Sequence, residues 1–187
     1  MLKLFSRKWI APILLILIGA IIFICIGLFR YKQKQKLASL LPYIESYDKN
    51  MAKYDNLKGV YLNPINQIID SLPSGNSIVY LFSSSDCGSC IDQGFSLMEQ
   101  LQKEDITIPF FAISDNAAIS GIQDRNNYRN YVYTDDESLI RKHLKFCLTP
   151  VLFLLSDGII QELYFPTNES DIHGRSKFYN AVLEGLK

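Results

Sequence analysis

Cys87-Gly88-Ser89-Cys90 sets two thiols at a spacing that can close a small disulfide ring. The pair follows an apolar run, Ile78-Val79-Tyr80-Leu81-Phe82, that reads as a buried strand. With a helix starting at the first cysteine, the unpaired N–H groups of its first turn and its dipole favour a thiolate there. A thiolate is the form that attacks disulfides, so the placement points to thiol-disulfide exchange.

The remaining reactive side chains carry less. Cys147 lies just ahead of Pro150 and reads either as a third redox thiol or as an inert unpaired cysteine. Cys25 reads as an apolar thiol facing lipid rather than as a lipid-attachment site, since Phe23-Ile24 precede it where small residues would be needed. His143, at the edge of an apolar helical face, and His173, in a polar loop, read as surface or boundary residues. No metal site and no cofactor are expected.

The elements that position the dithiol follow from periodicity. A helix over Cys87–Lys103 buries Ile91, Phe95, Met98 and Leu101, and Ile106–Ile113 reads as a strand. Asp115–Asn127 reads as a short helix and a loop, and Tyr131–Tyr133 as a brief strand. Asp135 or Asp136 caps a helix running through Leu144. Val151–Leu155 and Ile159–Phe165 are strands joined at Asp157-Gly158, a strong hairpin signal. Arg175–Leu186 closes the chain as a helix. Ahead of all these, Asn63–Leu72 reads as a short helix. Leu37, Leu40, Ile44, Tyr47, Met51 and Tyr54 form a helical stripe, expected to pack on the domain rather than dimerise as a coiled coil.

Hydrophobic residues make up 48% of the 187, and the excess is localised. No charge interrupts Ile10 to Phe29. Twenty residues at about 1.5 Å each span roughly 30 Å, the thickness of a bilayer's hydrocarbon core. The organisation expected is a tail over 1–9, an uncleaved transmembrane anchor over 10–29, a basic stalk and amphipathic helix over 30–59, and a folded domain over 60–187. Lys3, Arg7, Lys8, Arg30, Lys32, Lys34 and Lys36 flank the anchor, so residues 37–187 hold 12 basic against 19 acidic side chains, a net of −7. That balance argues against a nucleic-acid partner. Basic residues on the two flanks nearly balance and do not set the orientation. A dithiol is most useful where disulfides form, so the domain is expected on the extracytoplasmic, periplasmic side of the cell membrane.

Three features together resemble the thioredoxin-like fold: a strand leading into Cys87-Gly88-Ser89-Cys90, the later Thr149-Pro150, and a hairpin running straight on from that proline. The anchor and the run Thr149 to Gly158 are similar to membrane-tethered bacterial thiol-disulfide oxidoreductases of the TlpA/ResA type. The resemblance implies an α/β fold with a central mixed sheet flanked by helices, and a cis bond before Pro150 beside the dithiol. It implies Cys87 as nucleophile and Cys90 as resolving thiol. Thr149, Pro150, Gly88 and Ser89 would shape the groove for protein disulfide or dithiol substrates, with a membrane electron donor of the DsbD/CcdA type. The chain departs from the pattern in two places. Asp86 stands where thioredoxins usually carry Trp, and is expected to act as a helix N-cap. Leu81 stands where they bury an acid. Two other functions stay open: a scaffold with a static Cys87–Cys90 disulfide, and a copper chaperone of the same fold.

Overall fold

The computed structural model describes residues 18, 19, 22–32, 34, 35, 52, 54–70, 72–104, 106, 108–145, 147–167 and 172–185. The chain divides into two compact units, Met1–Asn50 and Met51–Lys187. In the first, residues 22–32 are helical and exposed, and Gln35 donates to the Tyr31 hydroxyl at 3.0 Å. Half of the anchor expected over 10–29 lies outside the described residues. Among those described, no helix is long and apolar enough to cross a membrane. The stripe over 37–54 also lies outside them, except for Tyr54, whose ring packs against Phe165 with centroids 4.6 Å apart.

The second unit is built on five strands. In chain order these are β1 (Asn76–Phe82), β2 (Phe110–Ser114), β3 (Val132–Thr134), β4 (Val151–Ser156) and β5 (Ile159–Tyr164). The helices are α1 (Ile65–Ile68), α2 (Gly88–Lys103), α3 (Ser120–Arg125), α4 (Leu139–His143) and α5 (Ile172–Glu184). The sheet order is β3-β2-β1-β4-β5, with β1 parallel to β2 and antiparallel to β4. This is an α/β fold with a central mixed sheet flanked by helices, the arrangement that the resemblance implies.

Alternation along the strands divides the core into two layers. Val79, Leu81, Ile113, Val151, Phe153 and Leu155 face one side, where they pack with Ile65, Ile69, Ile140 and Leu144. Tyr80 and Phe82 face the other, where Phe95 of α2 meets both rings edge-on at 5.1 and 5.4 Å. On that side too, Phe178 of α5 lies against Tyr164 of β5.

Where the elements depart from expectation, a specific residue accounts for it. β2 starts at Phe110 rather than Ile106 because Pro109 has no N–H for the ladder; only its carbonyl pairs, accepting from Ile78 at 2.9 Å. The cap by Asp135 is present: its carboxylate accepts the Leu139 and Ile140 N–H groups at 2.7 and 3.0 Å. The helix it caps begins only at Leu139, after Ser138 has taken a left-handed conformation with φ 54°. α1 is a single turn, not the longer helix expected over Asn63–Leu72. The Asp157-Gly158 hairpin forms with both residues at positive φ (49° and 79°), as a tight turn between antiparallel strands requires. Backbone bonds from residues 59–62 then run along β5: Gly59 donates to Ile160, Ile160 to Val60, and Leu62 to Gly158.

Candidate active site

The carboxyl end of β1 delivers the chain into Ser83-Ser84-Ser85-Asp86, and α2 begins directly after Cys87. Carboxylates hold this loop. Asp115, just past β2, accepts the Ser83 hydroxyl at 2.5 Å and the Ser84 N–H at 3.0 Å. Asp86 accepts the Ser83 N–H at 2.7 Å. Cys87 is the N-cap residue of α2, and its carbonyl accepts the first helical bond from Ile91 at 3.0 Å.

The two sulfurs differ in environment. Cys87 is exposed, whereas Cys90, one turn in, keeps 8% of its surface. Both are free thiols. The Cys90 thiol donates to Cys87; with the Ser89 hydroxyl at 3.2 Å and the Cys90 backbone N–H, this lowers the Cys87 thiol to about 7. Burial pushes Cys90 up to about 12, helped by its bond to Cys87 and by the charges of Cys87 and Asp86. The pair is therefore a thiolate at the surface with a proton donor behind it. The neighbouring thiol is the largest single contributor to that thiolate, joined by the Ser89 hydroxyl and by the N–H groups of the helix terminus that drove the expectation from sequence.

The Thr149-Pro150 peptide bond is cis. Thr149 is half-buried and Pro150 buried, with Leu148 exposed beside them. The Thr149 hydroxyl donates to Asp86 at 3.0 Å, which brings the loop before β4 to the cysteine loop. The Thr149 loop is thus tied to Asp86, the residue before Cys87, with Gly88 and Ser89 exposed on the first turn of α2. The expectation for Asp86 needs correcting. No side chain caps α2, and the Asp86 carboxylate turns back to Ser83 and across to Thr149.

Sequence reasoning missed three contributors. Asp115 pairs with the cysteine loop from a distant strand end. Arg125 of α3 grips Asp92 of α2 through Nε at 2.9 and 3.2 Å, and Asn126 adds a bond to Asp92 at 2.8 Å. Arg125 also places a guanidinium nitrogen 3.6 Å from where a Cβ at Gly88 would stand. Tyr80, buried under α2, donates to the Ile91 carbonyl at 3.0 Å. Only Tyr80 had a signal, as a polar-tipped ring in an apolar strand that must find a partner.

Of the remaining candidates, Cys147 is buried in the apolar layer opposite α2, and burial raises its thiol to about 11. It is a core side chain. The His143 ring is exposed and bonds the Tyr61 carbonyl at 2.9 Å. Among the described residues, no three His, Cys, Asp or Glu side chains are grouped to hold a metal ion.

No family model and no curated protein matches the chain. Among solved structures it is similar to Xanthomonas campestris peroxiredoxin Q, at 11% identity and TM-score 0.49, over 61% of this chain and 82% of that one. It is also similar to a secreted Mycobacterium tuberculosis disulfide oxidoreductase homologous to E. coli DsbE, at 14% and 0.48, over 62% and 85%. A putative thiol:disulfide interchange protein DsbE from Chlorobium tepidum gives 19% and 0.46, over 59% and 81%. Overlap at this level leaves the chemistry of the site to its own geometry.

Proposed function

We propose that this chain is a membrane-tethered thiol-disulfide oxidoreductase that exchanges disulfides with extracytoplasmic proteins. The observation that carries this reading is the asymmetry of the sulfur pair: Cys87 exposed and ionised near neutral pH, Cys90 buried and protonated behind it. The Cys87 thiolate attacks one sulfur of a client disulfide. A Cys87–client bond forms, and the client's other sulfur leaves as a thiolate that takes up a proton. Cys90 then loses its proton and attacks the Cys87 sulfur. The Cys87–Cys90 disulfide forms, the client bond breaks, and the second client sulfur takes the proton. Two electrons have passed to the client; run backwards, the same steps oxidise a client dithiol. The Thr149 loop, tied to Asp86 next to Cys87, supports an extended polypeptide as substrate.

The uncharged run from Ile10 to Phe29 and its basic flanks support the tether. A dithiol on the periplasmic side needs a renewed supply of electrons, which supports a membrane donor of the DsbD/CcdA type as partner. Two experiments test the reading. The protein should accelerate insulin reduction over dithiothreitol alone, and Cys90→Ser should accumulate mixed disulfides through Cys87 in cells. A rate equal to dithiothreitol alone, with no thiol-sensitive adduct, would favour a static-disulfide scaffold instead.

A further inference from the structure

Asp86 is joined to Cys87 by one peptide bond, so their Cα atoms lie about 3.8 Å apart. Both oxygens of its carboxylate are engaged. Oδ2 accepts the Ser83 N–H at 2.7 Å, and the Asp86 N–H donates to the Ser83 carbonyl at 3.0 Å, closing the cysteine loop on itself. Oδ1 accepts the Thr149 hydroxyl at 3.0 Å, from a residue 63 positions away in the chain. That second bond links two separate loops, the one carrying the reactive sulfur and the one ending in the cis proline. It is charge-assisted and half-buried, which makes it stronger than a neutral surface bond. Behind Ser83 stands Asp115 at the end of β2, so the cysteine loop is braced on the sheet from its other side.

We propose that Asp86 is a positioning residue that fixes the Thr149 loop against Cys87, and that this bond makes the site favour extended polypeptide disulfides over small ones. The inference rests on the oxidoreductase reading above. A polypeptide lying along Thr149 presents its disulfide to Cys87 at a distance set by how the two loops are held. Small errors in that distance are costly in rate. A small disulfide has no backbone to lay along Thr149 and meets only the sulfur. Loosening the tie therefore costs the polypeptide more than the small molecule.

The test compares kcat/KM for insulin with that for oxidised glutathione in the full-length protein, in the wild type, Asp86→Ala, Thr149→Val and the double variant. Thr149→Val nearly preserves shape, so it reports on the same bond if Asp86→Ala folds poorly. Each single variant should lose roughly tenfold more on insulin than on glutathione, the scale of one charged hydrogen bond. The double variant should lose no more than the worse single one, because both remove the same bond. Thr149→Ser, which keeps the hydroxyl, should hold the wild-type ratio. Equal losses on both substrates, or losses that multiply in the double variant, would overturn the inference and leave the oxidoreductase reading standing. A wild type inert on both substrates would overturn both.

Discussion

At the scale of single residues, the chemistry comes from how two identical thiols are made unlike. Ser89 and Cys90 both serve the Cys87 thiolate, and burial holds the Cys90 proton in place. Iodoacetamide should therefore alkylate Cys87 with a rate that rises through about pH 7, while Cys90 stays unreactive far into the alkaline range. Ser89→Ala removes one of the bonds to the thiolate and should move the Cys87 midpoint upward. An unmoved midpoint would mean that the Ser89 hydroxyl at 3.2 Å is a bystander. The cysteines stand out in the sequence by their spacing after an apolar strand, whereas Thr149 and Pro150 were pointed to by the family resemblance. Asp86 was visible but misread. Its partner Thr149 lies on another loop, and only the folded chain brings the two together.

At the scale of elements, α2 can approach β1 closely because Gly94 has no side chain. A Cβ there would stand 2.3 Å from Cζ of Tyr80, a ring held by its bond to the Ile91 carbonyl and by Phe82 and Phe95. Gly94→Ala should thus destabilise the fold by about 1–3 kcal/mol, the usual cost of overpacking, despite alanine's better helix propensity. Urea unfolding measures this; an unchanged or raised midpoint would show that α2 can shift outward freely. Nothing in the local sequence marks this role of Gly94, because the ring it accommodates belongs to another element. The helix faces, the hairpin and the order of elements were legible, since each is written in local periodicity. The start of β2 and the late start of α4 were not, being set by ladder bonding at Pro109 and by the turn through Ser138.

At the scale of the whole molecule, the buried thiols make stability depend on pH. Cys90 and Cys147 hold their protons to about 12 and about 11, against 9.0 for a free thiol. Above about pH 9 the unfolded chain therefore binds fewer protons than the native one, so stability falls as pH rises through that window and is fully present below it. Burial of Tyr80 and Tyr128 acts in the same sense above 10. Cys87 acts oppositely: its lowered value gives a contribution present above 9 and lost as pH falls through about 7. The urea midpoint of the reduced protein should drop between pH 9 and 11, and less so in Cys147→Ala; a level midpoint in both would contradict the burial of these thiols. The sheet carries a different consequence. Residues 59–62 occupy the outer flank of β5, a strand whose backbone would otherwise stand open. A protease nick between Leu62 and Asn63 would strip that cover and bare a β rim on which a second copy can seat itself. Freshly cut protein should clump well before it melts.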